Sequence, residues 1–174
     1  MTHANRALFA MIFAASAAGL WAGAACAKSA GSASGLPVPR FVSLKADKVN
    51  MHIGPAKTYE VKWLYQRAGL PVEITAEFEN WRRIRDADGA EGWVYHSLLS
   101  GRRAGMVTAK AAEELVEVRE KPDAASAVTA KLERGVIGVV KRCNDGWCAI
   151  NGRGFEGWIQ QVRLWGVYPN EKVD

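Results

Sequence analysis

The chain is poor in the residues from which reaction centres are built. It has three histidines among 174 residues, and past residue 27 only His52 and His96 remain. No H-E-x-x-H or G-x-S-x-G pattern occurs, which removes the zincin and serine-hydrolase readings. Cysteine is equally scarce: Cys143 and Cys148 stand as C-x4-C, not the C-x-x-C of a redox-active pair, and neither a histidine nor a second cysteine pair accompanies them as zinc ligands. Asp86 and Asp88 flank Gly89 as turn residues do, and His52 alternates with inward residues as a surface position would. The expectation is a non-enzyme with no metal and no cofactor.

Acid is the minority charge, 18 Asp and Glu against 23 Lys and Arg, for a net charge of +5. The excess base favours anionic surfaces such as cell-wall polymer or lipid head groups but is too dispersed to form a patch. Long apolar runs are absent beyond residues 7–25, which follow Arg6 and precede small residues, so residues 1–27 read as a signal peptide. The run is too rich in Ala and Gly for a retained anchor. Cleavage before Lys28, after Ala25-Cys26-Ala27, and cleavage after Gly23-Ala24-Ala25 are both open; Cys26 as a lipidated cysteine is a third reading, and the only one that brings membrane contact. An exported, periplasmic location follows, in which nucleic acid is not an expected partner. Residues 28–40, KSAGSASGLPVPR, lack periodicity and read as a flexible linker with no assigned structure.

What the chain does have is a repeat. The stretch 80–99, NWRRIRDADGAEGWVYHSLL, returns at 145–164 as DGWCAINGRGFEGWIQQVRL. Both open on a Trp after a turn and close on Glu91-Gly92-Trp93-Val94 or Glu156-Gly157-Trp158-Ile159. Upstream, Val49-Asn50-Met51-His52 aligns with Val116-Glu117-Val118-Arg119, and Pro55 with Pro122. Repeat one carries two single-residue insertions, near Ala68-Gly69 and between Asp86 and Asp88, which places loops there. Repeat one is set at residues 41–100, repeat two at 106–168, and 169–174 as a polar C-terminal tail; the basic joint Gly101-Arg102-Arg103-Ala104-Gly105 is short enough for a fixed or narrowly hinged pair.

Alternation within each unit is that of strands. Val49, Met51 and Ile53 share one face, and Val72, Ile74 and Ala76 alternate with Glu73, Thr75 and Glu77. Residues 109–118 have helix propensity, yet register with repeat one makes 115–119 a strand. Short strands and tight turns, twice over, predict an all-β chain of two small five-stranded barrels.

The order Val49-Asn50-Met51-His52, Gly54-Pro55, a Trp after a tight turn, and Gly92-Trp93-Val94 followed by Ser97-Leu98-Leu99 resembles the bacterial SH3-like domain in its tandem, exported form, over residues 41–168. His52 stands where that family often has Arg, and Glu120-Lys121-Pro122 lacks the Gly of the first repeat's turn. Tyr95 and Leu98 replace groove residues of the eukaryotic relatives, so the resemblance does not imply polyproline recognition.

Around Cys143-Asn144-Asp145-Gly146-Trp147-Cys148, a two-residue Asp145-Gly146 loop pairs Asn144 with Trp147 and the cysteines at the next position, where side chains approach closely. A cross-strand disulfide fits, with two free thiols as the alternative. Bringing Val140 and Ile150 to one inner face then requires a bulge. The matching residues of repeat one, Glu77 and Arg82, form a charge pair, expected to face solvent. Trp93 and Trp158 are expected in or near the core, and Trp165 against repeat two. Trp81 and Trp147 open a strand on the edge where related domains expose an aromatic. Trp81, Tyr95, His96 and Trp147 are therefore the candidate ligand-binding residues, with Gln160 and Gln161 the polar counterparts in repeat two. The resemblance implies a non-catalytic envelope adaptor that binds cell-wall peptide or glycan, or a partner protein. A structural or assembly protein, with Trp81 and Trp147 buried between units, and an envelope hydrolase or its regulatory subunit, with His52 or His96 against a carboxylate, are the other two readings.

Overall fold

The computed structural model describes residues 29–30, 33–111 and 114–174. The leader expected at 1–27, with Cys26, lies outside the described residues.

After a small ribbon of β1 (Ser29–Ala30) with β2 (Pro37–Val38), repeat one consists of β3 (Arg40–Leu44), β4 (Val49–His52), β5 (Val61–Tyr65), β6 (Pro71–Phe78), β7 (Trp81–Arg85), β8 (Glu91–Tyr95), a 3-10 turn (His96–Leu98) and β9 (Leu99–Ser100). Repeat two answers with β10 (Ala104–Val107), β11 (Val116–Arg119), β12 (Val128–Leu132), β13 (Ile137–Asn144), β14 (Trp147–Gly152), β15 (Phe155–Gln160), a second 3-10 turn (Gln161–Arg163) and β16 (Leu164–Trp165). The sheets run β5-β4-β8-β7-β6-β3-β9 and β12-β11-β15-β14-β13-β10-β16, the same topology twice. All-β architecture and tandem duplication are as the sequence indicated. Each sheet has seven strands rather than five, because the segment after the first strand folds back on itself as the hairpin β4/β5 or β11/β12 and so satisfies its own backbone groups. The insertions in repeat one fall in the loops β5–β6 and β7–β8.

Each repeat has its own core. Val49, Met51, Val72, Ile74, Ile84 and Val94 fill the first; Val107, Val118, Val140, Ile150, Ile159 and Leu164 belong to the second. Bulges between Ile74 and Ala76 and between Val140 and Arg142 put the paired residues Ile74/Ile84 and Val140/Ile150 inward while Glu77/Arg82 and Cys143/Cys148 remain directly opposed. That is the reconciliation the hairpin required. Gly92 explains the Gly-Trp signature: a Cβ there would lie 2.6 Å from Met51 Cγ and 2.7 Å from the His52 carbonyl, so only glycine lets β8 cross β4 this closely.

Several outward positions of the alternation are covered instead. Ile53 leaves the core face, 55% exposed, because β4 bulges between Met51 and His52. Glu77 and Arg82 do not face solvent. Residues 33–40, expected as a tether, lie across them: Ser34 donates its backbone N–H and hydroxyl to Glu77 at 2.8 and 2.7 Å, and Arg40 Nη2 reaches Glu77 Oε1 at 2.6 Å. In repeat two the C-terminal tail does the same job. Val173 bridges to Cys143 through reciprocal backbone bonds of 2.8 and 3.2 Å, so the disulfide, expected at an open position, is buried.

The units meet through side chains from the end of repeat two. Trp165 does not fold back on its own barrel. Its ring meets Phe41 edge-on at 5.0 Å and its Nε1–H donates to the Pro71 carbonyl at 3.0 Å. Tyr168 lies 4.7 Å from Phe41 and donates its hydroxyl to Glu73 Oε1 at 2.8 Å. Glu73, outward on its own barrel as alternation predicts, is thereby buried against the neighbouring one and is also gripped by Arg85.

Candidate functional site

Trp81 is the first residue of β7, released from the turn in which Glu79 takes φ 48°. Antiparallel register sets it opposite Tyr95, the last residue of β8, and side chains of such pairs stand side by side on one face. The rings meet edge to face at 5.5 Å. His52, at the end of β4, also meets the Trp81 ring, at 5.3 Å and T-shaped. Tyr95 continues into His96 at 5.0 Å, and Lys57 Nζ stands 6.0 Å from the Tyr95 ring. Four of these residues, His52, Trp81, Tyr95 and His96, thus form one aromatic ladder across three strands and the following turn.

Trp81 is buried, 7% exposed; it is the support of the ladder and not the open platform expected of it. Tyr95 is half-buried and His96 exposed, so these two rungs of the ladder, not Trp81, are open to solvent. His52 Nδ1 sits 2.8 Å from the Tyr59 carbonyl. Since a carbonyl only accepts, Nδ1 carries the proton, and in the neutral ring Nε2 is an acceptor. His96 also lines a mainly apolar cleft of about 330 Å³ with Leu36, Phe41 and Leu99. Periodicity placed His52 on the surface; it missed the ladder because the bulge after Met51 is a tertiary feature.

Repeat two is built differently around its Trp. Trp147 is half-buried and faces Gln160 in register where Trp81 faces Tyr95, and Arg119 replaces His52. The result is a polar cavity of about 260 Å³ lined by Trp147, Glu117, Arg119, Gln160 and Arg163. Arg119 is held by Glu117 and Arg163 by Glu114. Gln161 is not available as a ligand contact: it is buried and its amide donates to the Tyr168 and Glu171 carbonyls at 2.9 Å each. The structure therefore brings Trp81, Tyr95 and His96 together and leaves Trp147 in a separate site of different polarity. Trp93 and Trp158 are half-buried.

Cys143 and Cys148 form the disulfide, with Cα atoms 4.1 Å apart at directly paired positions of β13 and β14. The charge pair at the same place in repeat one is strongly polarised. Burial opposes ionisation of Glu77, but hydrogen bonds from Ser34 and Arg40, and the Arg40 charge, overcome it and hold the carboxyl down to about 2. Burial and the nearby Asp86 carboxylate, which accepts its hydroxyl, push Tyr65 up. Among the described residues no group of His, Cys, Asp and Glu is placed to hold a metal ion. None of their helices is long and apolar enough to cross a membrane.

The fold and the duplicated Trp-bearing hairpin define a tandem small-barrel protein. The family described as the bacterial SH3 domain matches residues 45–101 and again 112–166, and the chain belongs to that family. Among solved structures, the chain is similar to NlpC2 from Trichomonas vaginalis, at 15% identity over 73% of this chain and 48% of that one with a TM-score of 0.32. It is also similar to NlpC1 from the same organism, at 13% identity over 77% and 48% with a TM-score of 0.33. The chain thus spans about half the length of these structures. No curated protein matches it.

Proposed function

We propose that the chain is a non-catalytic binding protein of the bacterial cell envelope that grips cell-wall peptide or glycan, or an envelope partner protein, through the Trp81, Tyr95 and His96 edge of repeat one. The observation that carries this reading is the ladder itself. Membership of the bacterial SH3 domain family and a buried disulfide, a bond characteristic of oxidising compartments, support an extracytoplasmic setting. A rigid aromatic surface with two ring nitrogens and a lysine at its margin suits sugar faces and peptide bonds, which stack on rings and need a few fixed polar partners.

The assembly reading needed Trp81 and Trp147 between the units. Trp81 packs instead within its own repeat, while Phe41, Trp165 and Tyr168 make the interface. The hydrolase reading needed a histidine against a carboxylate; His52 faces a carbonyl and His96 a tyrosine ring. Co-sedimentation with purified cell wall at low salt tests the proposal. The parent chain is expected in the pellet, and Tyr95→Ala, which alters a half-buried rung and spares the buried Trp81, is expected to pellet at least about threefold less for a lost stacking contact. A parent that stays in the supernatant ends the cell-wall reading.

A further inference from the structure

A groove of about 650 Å³ lies in repeat two on the side of the disulfide, walled by Trp158 and Arg142, by Trp147, and by Lys172 and Val173 of the tail, with Pro122 at its lip. The bulge between Val140 and Arg142 aligns Arg142 with Ala149 and, one strand further, with Trp158. The small Ala149 between them leaves room for the Arg142 side chain to reach across, and its guanidinium lies 4.9 Å over the Trp158 ring. A guanidinium stacked this way keeps its edge N–H donors free.

Neither the Arg142 nor the Lys172 side chain has a hydrogen-bond or ion-pair partner among the described residues. Both face a groove whose far wall is fixed, because Val173 is bonded to the disulfide-bearing strand on both its N–H and its carbonyl. Repeat one has nothing equivalent. Ala76 stands at the position of Arg142, and the cation near Trp93 is Arg83, at the position of Ala149 and tied to Glu91 at 2.5 Å. The duplicated unit thus moved a cation onto the tryptophan and left it without an acid.

We propose that this groove is a second binding site, chemically distinct from the aromatic ladder, that takes the terminal carboxylate of a short extended peptide. Arg142 and Lys172 hold the carboxylate, and Trp158, Trp147 and Pro122 receive the preceding residues. Asp145, bonded by the Asn144 side chain at 2.8 Å, and Asp174 stand at the rim of the same groove. These acids oppose any anion, but a doubly charged phosphate or a polyanion more strongly than a single carboxylate, which the two cations can outweigh.

The test follows the indole N–H resonances of the tryptophans in the parent chain by NMR. The probes are N-acetyl-Ala-Ala-Ala with a free carboxylate, the same peptide as its C-terminal amide, and inorganic phosphate. Expected are saturable shifts of Trp158 and Trp147 with the acid at millimolar concentration, about tenfold weaker binding of the amide, and a loss of about tenfold in each of Arg142→Gln and Lys172→Gln. Both replaced side chains are exposed, so the variants should retain the parent spectrum. Trp81 stays unmoved throughout, so failure here leaves the cell-wall assay on repeat one untouched, and the converse. Equal binding of acid and amide, equal binding of phosphate, an unaffected Arg142→Gln variant, or no saturable shift by about 20 mM each overturns the proposal.

Discussion

The buried carboxylate of Glu77 should make the first unit acid-sensitive in a way that one substitution removes. Its folded-state value of about 2 lies below the ordinary 4.5, so folding favours the ionised form. The stabilisation is present above pH 4.5 and is lost as pH falls toward 2. Glu77→Gln keeps the volume but removes the charge that Arg40 and Arg82 approach at 2.6 and 3.2 Å, with 17% and 10% of those side chains exposed. Leaving two sheltered cations uncompensated is expected to cost about 3 kcal/mol at pH 7. Urea unfolding followed by tryptophan fluorescence at pH 7, 4 and 2.5 measures both effects. Parent and variant should differ most at pH 7 and converge by pH 2.5. A variant within about 0.5 kcal/mol of the parent at pH 7, or a gap that does not narrow on acidification, would refute the argument that this pair is held from solvent by residues 33–40.

Trp165→Ala removes an edge-to-face contact and a hydrogen bond between the units, together worth about 2 kcal/mol; denaturant unfolding should separate into two transitions, and an unchanged single transition would show that the interface does not couple them. Cys148→Ser opens the five-residue separation and should cost about 2 kcal/mol on the chain-entropy model, with hydrogen exchange at Val173 rising because its partner strand loosens. Gly92→Ala drives a Cβ into Met51 and the His52 carbonyl and should destabilise repeat one by about 2 kcal/mol; thermal melting within a degree or two of the parent would remove the packing explanation for the Gly-Trp signature.

The duplication, the all-β alternation, the loop insertions and the need for a bulge beside Val140 were legible in the chain, because they are local patterns: alternation, turn residues and spacing between repeated tryptophans; the matching bulge beside Ile74 was not. The cysteine pairing was legible for the same reason, since a two-residue loop fixes which residues oppose one another. What alternation cannot express is which outward face another segment covers. Glu73 faces outward beside Arg85 and is covered by Tyr168, whereas the bulges turn Glu77 and Cys143 to the face that carries Ile84 and Ile150, where Ser34 and Arg40 close over Glu77 and Val173 over Cys143. The strand count rose to seven for a related reason: the long connection after β3 pairs with itself once the barrel brings β8 beside it.

The sequence by itself determined that this is a duplicated all-β chain in which a disulfide replaces a charge pair, because periodicity and turn chemistry act over a few residues. Only the tertiary structure decided that Trp81 is a buried support linking His52 to Tyr95, that Trp165 binds the neighbouring unit, and that Arg142 lies without an acid on Trp158. Those contacts join residues distant in the chain, and their energies depend on burial that no single strand possesses before the barrels close.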